Sequence, residues 1–199
     1  AQLSRGLGDV YKRQARSKKI KNIITSRIEH PAVLQPIEYL MKNEKIISHF
    51  VDIDKNGNID YQHLSSLLSK FESNTLVSLM HANNEIGIIN DIKKIGEICK
   101  KNNALFHSDA VQTVCHYEID LSDIYINSIT ASAHKFHGPK GIGFIYLSDD
   151  TMIDPYIFGG GQERNMRAGT ENISSILGMT KAFEIAYKNL EEESKYMYS

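Results

Sequence analysis

From Ile20 onward, short apolar runs of strand length alternate with longer stretches in which apolar residues recur every three or four positions. Runs at 20–26, 46–53, 75–81, 104–110, 126–132 and 141–147 predict strands. After the first run, Pro31 stands where a helical first turn accepts proline, and Val33, Leu34, Ile37, Leu40 and Met41 form an apolar stripe. Residues 61–71 predict a second helix, and Ile92, Ile95, Gly96, Ile98 and Cys99 mark one face of a third. A long helix over 172–193 ends in charge. Strands alternating with helices imply β-α-β units, so the expected fold class is α/β, with a mostly parallel sheet flanked by helices. Ligands in such sheets bind beyond the carboxyl ends of the strands.

Composition narrows the function classes. With 23 Lys and Arg against 24 Asp and Glu, the net charge of -1 gives no bulk attraction to nucleic acid or an anionic membrane. The apolar runs are too short and too often interrupted for a transmembrane helix. Cys99 and Cys115 show no C-x-x-C spacing, which argues against a disulfide framework and for a reducing, cytoplasmic setting. Residues 1–15 lack strand or helix periodicity and any signal-peptide core, and are expected to be a non-native leader, leaving 16–199 as the domain.

Polar clusters follow the strands. The third runs into His81-Ala82-Asn83-Asn84-Glu85-Ile86-Gly87, and the fourth into His107-Ser108-Asp109-Ala110-Val111-Gln112. The fifth runs into Ser132-Ala133-His134-Lys135-Phe136-His137-Gly138-Pro139-Lys140-Gly141. A glycine-rich loop from Gly159 through Arg164 and Arg167 to Thr170 precedes the last helix. A pyridoxal 5′-phosphate (PLP) site needs a lysine for the aldehyde and a carboxylate against the pyridinium nitrogen. It also needs donors for the phosphate and a group against the ring. Lys135, Asp109, the set Ser132, His134 and Thr170, and a histidine answer those needs in order.

These runs, with Glu29-His30-Pro31-Ala32-Val33-Leu34, resemble cysteine desulfurases of the nitrogen-fixation and housekeeping iron–sulfur type, within the class-V aminotransferases. The resemblance covers about residues 17–199. It implies an aspartate-aminotransferase-like, fold-type-I PLP large domain, here incomplete and without the small C-terminal domain, in an enzyme that works as a homodimer. It implies that Lys135 forms the Schiff base, Asp109 pairs with the pyridinium nitrogen, and Gln112 and Asn84 reach the ring-hydroxyl side. Ser132 and His134 would bind the phosphate, and Thr170 the phosphate of the other subunit's cofactor. His30 would stack on the ring and take part in proton transfer.

The implied reaction removes sulfur from L-cysteine, giving L-alanine and an enzyme persulfide for a sulfur-accepting iron–sulfur scaffold. Selenocysteine lyase, or another PLP lyase of the fold, is the nearest alternative. The family's upstream phosphate-binding stretch, which ends in Ala-Thr-Glu, has no counterpart in the chain. The family's nucleophilic cysteine and substrate-carboxylate arginine lie beyond the last helix. The chain alone is therefore expected to be inactive, since a thiolate must accept the sulfur.

Three other readings compete. Asp52-Ile53-Asp54-Lys55-Asn56-Gly57-Asn58-Ile59-Asp60 follows a calcium-binding EF-hand loop, but His63 stands where the bidentate glutamate belongs. The stretch is expected to be an Asn-Gly turn ending in a helix cap at Asp60. His134 and His137 are H-x-x-H spaced, but Gly138-Pro139 turns the chain away and no third ligand is evident, so no metal is expected. Cys115 follows a strand-end motif, yet nothing nearby would activate its thiol, and Cys99 belongs to an apolar helix face.

Overall fold

The computed structural model describes residues 20–71, 74–149, 151, 154–155 and 157–197. The leader expected over 1–15 lies outside the described residues. Strand β1 is Asn22–Thr25, β2 Ile47–Phe50, β3 Thr75–Ser78, β6 Leu105–Asp109, β7 Ser128–Ser132 and β8 Gly143–Leu147, with a small hairpin of β4 (Ala82–Asn83) and β5 (Ile88–Ile89). The helices are α1 (Pro31–Asn43), α2 (Tyr61–Leu68), α3 (Ile92–Lys101) and α4 (Ile173–Met197). Each predicted strand and helix is present; the strands and α2 are shorter than their predicted runs, while α1, α3 and α4 extend beyond theirs.

One six-stranded sheet has the order β2-β1-β3-β6-β7-β8. Every neighbouring pair is parallel except β7 and β8, which are antiparallel. The fold is thus α/β with a mostly parallel sheet flanked by helices. The central strands are buried along almost their whole length and the edges β2 and β8 are not, as a sheet covered on both faces requires. Successive residues face opposite layers. Ile23 and Leu76 pack with Val33, Ile37 and Leu40 of α1. Ile24, Val77 and Phe106 pack with residues of α2 and α3 and with the apolar side of α4. Phe106, with no exposed area, contributes roughly 2–3 kcal/mol of burial.

Helix starts follow from local chemistry. Asp60 accepts the N–H groups of Gln62 and His63, and Asp91 accepts that of Lys94 at 2.9 Å, each satisfying orphan donors of a first turn. Gly96 of α3 lies so close to the backbone that an added Cβ would stand 2.4 Å from the Tyr125 carbonyl oxygen, so α3 needs a glycine to pack there. Among the described residues no helix is long and apolar enough to cross a membrane.

Candidate functional site

Because β1, β3, β6 and β7 run parallel and adjacent, the segments that follow them emerge at one edge of the sheet. Asp109 is the last residue of β6 and Ser132 the last of β7. Glu29 and His30 lie in the loop after β1, and Met80 and His81 just past β3.

Asp109 is only 6% exposed and accepts the Val111 backbone N–H at 2.9 Å. Burial pushes its carboxyl above the usual aspartate range. The Val111 bond and the Lys135 charge pull it back, as His30 does when protonated, so the loop after β1 and the turn after β7 both lie within electrostatic reach of Asp109.

Behind Asp109 a hydrogen-bonded bar crosses the central strands. Ser78 Oγ on β3 lies 3.2 Å from His107 Nδ1, and His107 Nε2 lies 3.3 Å from Thr130 Oγ1 on β7. Complete burial lowers the His107 pKa to about 3, so the ring is neutral, with one nitrogen a donor and the other an acceptor. Ser108 points the opposite way and donates to the Leu79 carbonyl at 2.8 Å. Polar core positions therefore brace the strand that presents Asp109.

Lys135 sits on one 3-10 turn, Ala133–Phe136, directly after β7. The turn closes through Gly138 N–H donating to the Ala133 carbonyl at 2.8 Å, with His137 in the left-handed region at φ 63°. Gly138 must be small, because a Cβ there would meet the Ala133 Cβ at 2.8 Å. Phe136 anchors the turn, its ring edge-on to Phe183 of α4 with centroids 6.0 Å apart. Ser132 Oγ and His134 Nδ1 are 2.8 Å apart. Lys135 itself is half-buried.

His30 is the N-cap of α1. Its Nδ1 accepts the Ala32 backbone N–H at 3.1 Å, so the neutral ring carries its hydrogen on Nε2, pointing a donor away from the helix. Gln112 lies half-buried in the turn after Asp109. Asn84 is exposed in the turn between β4 and β5. That turn is built by its neighbour: Asn83 accepts the N–H groups of Glu85 and Ile86 and donates to the Ile28 carbonyl at 2.7 Å. Thr170 is exposed on the segment leading into α4 and, among the described residues, no hydrogen bond joins it to the Asp109 group.

Glu29 carries no role in the sequence reading, yet its carboxyl at this edge is strongly perturbed. Its Oε1 accepts from Ser26 Oγ at 2.8 Å and from the Met80 N–H at 3.0 Å, while its buried Oε2 has no partner. Burial raises its pKa from 4.5 to about 8, against the two hydrogen bonds and with a further push from Asp109. The sequence signal available was a glutamate directly before a strand-end histidine, in a loop too short to carry it to solvent.

The competing motifs resolve differently. Asp54 spends its carboxylate on the N–H groups of Asn56 and Asn58 and on the Asn58 amide, and Gly57 takes the left-handed φ of 90°. Asp60 caps α2 as the turn-and-cap reading expects. Both cysteines are unpaired and buried. Burial pushes the Cys115 thiol up to about 12 and the Cys99 thiol higher, so neither is an activated nucleophile.

Comparison with known proteins places this geometry. The class-V aminotransferase family model matches residues 9–197. The cysteine desulfurase IscS of Clostridium botulinum is 43% identical over 181 residues, covering 91% of this chain and 45% of that protein. Among solved structures, a NifS-like protein superposes with a TM-score of 0.91 at 38% identity, over 98% of this chain and 54% of the other. SspA in complex with cysteine does so with a TM-score of 0.82 at 32% identity, over 91% and 53%. The chain thus spans about half the length of the relatives it matches. A parallel sheet with its polar groups gathered at one edge, and a family match over nearly the whole sequence, lead to one conclusion: this chain belongs to the class-V aminotransferase family.

Proposed function

We propose that the chain is the cofactor-binding part of a PLP-dependent cysteine desulfurase. The observation that carries this reading is the gathering of buried Asp109, half-buried Lys135 and His30 at the carboxyl-end edge of one parallel sheet, with Lys135 and His30 within electrostatic reach of Asp109. The class-V aminotransferases are PLP-dependent. The residues suit that cofactor: a buried carboxylate offset by positive charge is what a protonated ring nitrogen needs, and a half-buried lysine stands within its field.

Bound PLP would supply an electron sink for the substrate's α-carbon. Asp109 would keep the ring nitrogen protonated, and Lys135 would hold the cofactor covalently and afterwards move a proton with its amine. His30, with its hydrogen fixed on Nε2, would lie against the ring and donate from that atom. Gln112 and Asn84 would hold the ring-hydroxyl side, Ser132 and His134 the phosphate, and Thr170 the phosphate of a second copy's cofactor.

L-Cysteine as substrate is supported by the names of the relatives and by the bound cysteine in the SspA structure. The β-carbon–sulfur bond of cysteine would break, the sulfur passing to a thiolate as a persulfide and the carbon skeleton leaving as L-alanine. Since Cys99 and Cys115 are buried with raised pKa values, the accepting thiol would be neither of them. The whole protein would act as a homodimer delivering sulfur to an acceptor such as an iron–sulfur scaffold. A reducing cytoplasm fits its unpaired cysteines.

The test is to mix the purified chain with PLP, reduce with borohydride, and map the adduct by peptide mass spectrometry, with circular dichroism alongside. An adduct on Lys135, absent in Lys135→Ala, is expected. A cooperatively folded chain with no adduct there would overturn the reading. Adding L-cysteine to the loaded chain should alter the cofactor absorbance more than L-serine does, and equal responses would remove cysteine as the substrate.

A further inference from the structure

Lys135 is held from a second side by a residue that none of its strand-end neighbours predicts. The turn Ala133–Phe136 leaves the Lys135 carbonyl out of its closing bonds, which converge on the Ala133 carbonyl instead. His116 Nε2 lies 2.9 Å from that free Lys135 oxygen. A carbonyl can only accept, so His116 Nε2 must carry the hydrogen. The neutral Nε2–H form and the cation both make this bond.

The backbone before His116 is shaped to deliver it. Val114 N–H donates to the Ala110 carbonyl and Tyr117 N–H to the Thr113 carbonyl, winding residues 110–117 into two tight turns directly after Asp109. Within the second turn Cys115 adopts φ 68°, a left-handed conformation that a side chain rarely takes. Such a conformation persists where its surroundings over-determine it. Here the Cys115 side chain is buried in the core and its backbone is hydrogen-bonded to Tyr187 of α4. The loop that leaves Asp109 thus ends with an imidazole on the backbone of Lys135.

We infer that His116 is a positioning residue for Lys135: its Nε2–H bond to the Lys135 carbonyl fixes the backbone from which the lysine reaches the cofactor. The inference rests on the reading that Lys135 carries PLP. It also makes the Asp109 loop and the Lys135 turn one unit, with Phe183 holding the turn from the α4 side. A lysine whose backbone is fixed loses less freedom when its amine is committed to a ligand, so the bond acts on cofactor affinity more than on folding.

The experiment measures PLP affinity by absorbance titration, the borohydride-trapped yield on Lys135, and the melting temperature of the cofactor-free chain. It compares the natural chain with His116→Ala and His116→Gln, the glutamine retaining an N–H donor on a side chain of similar length. His116→Ala should weaken PLP binding roughly five-fold, and lower the trapped yield at sub-saturating PLP, at a nearly unchanged melting temperature. His116→Gln should recover most of the loss. Unchanged affinity in His116→Ala would overturn the inference, and so would a glutamine variant no better than the alanine, since the hydrogen bond would then not be the cause. A loss of affinity matched by an equal loss of folding in both variants would overturn it too, in favour of a purely structural histidine. Failure of the natural chain itself to form an adduct on Lys135 would instead bring down the cofactor reading beneath it.

Discussion

Glu29 accepts the Met80 backbone N–H at 3.0 Å, tying the loop after β1 to the end of β3 across 51 positions of sequence. The same carboxyl group holds a proton at neutral pH, because burial has raised its pKa to about 8. One residue therefore both clamps the edge where the site lies and stores a proton beside Asp109.

The combined contribution of Glu29, His107 and His81 to stability should peak near pH 6.5. Glu29, raised from 4.5 to about 8, holds a proton that the unfolded chain releases, so its contribution is full below pH 4.5 and is lost as pH rises to 8. His107 and His81, lowered by burial from 6.5 to about 3 and about 4, work in the opposite sense. Their contribution is full above 6.5 and is lost as pH falls. Between 4.5 and 6.5 the unfolded chain holds two protons on these three groups and the folded chain one, so stability rises with pH. Between 6.5 and 8 Glu29 alone of these three groups differs in protonation between the two states, and its contribution falls by roughly 1.4 kcal/mol per pH unit. Glu29→Gln should abolish that alkaline decline in urea melts at pH 6.5, 7.25 and 8. An equal decline in the variant would show that Glu29 is not the group responsible.

Asp109→Asn should separate cofactor binding from folding. The amide oxygen can still accept from Val111 N–H, and a buried charge is removed, so the cofactor-free chain should be as stable or up to about 1 kcal/mol more so. Without a carboxylate for the ring nitrogen, PLP affinity should fall about ten-fold or more. Absorbance titration beside thermal melts checks this; unchanged affinity would remove Asp109 from the site.

Both thiols should be silent in the native chain. Cys99 and Cys115 are buried and neither is thiolate near neutral pH, so a disulfide reagent such as Ellman's should label neither until the chain unfolds. Two thiols should appear in denaturant. Rapid native labelling of Cys115 would contradict its assignment as an inert core residue.

Gly138→Ala should damage the Lys135 turn. The added methyl would stand 2.8 Å from the Ala133 Cβ and 3.0 Å from its carbonyl oxygen, neither of which is a flexible side-chain end. A cost of roughly 2 kcal/mol is expected, with the trapped adduct on Lys135 falling further than the loss of folded protein explains. An adduct yield that tracks the folded fraction alone would show that the turn tolerates the shift.

The sequence by itself determined the layered α/β architecture, because strand and helix periods and the cap at Asp60 are local properties of the chain. It also placed Asp109, Ser132 and Lys135 at strand ends, since each lies within or just past the end of an apolar run. It missed the hairpin of β4 and β5, two residues a strand, too short for any period to register. Nor could it tell which of Asn83 and Asn84 builds the turn there, since both side chains have the same chemistry. Only the tertiary structure decided that Glu29 is protonated, that His107 is a neutral bar across three strands, and that His116 touches the Lys135 backbone. Ionisation and hydrogen-bond partnership depend on which distant segments exclude water from a group, and periodicity along the chain carries no record of that.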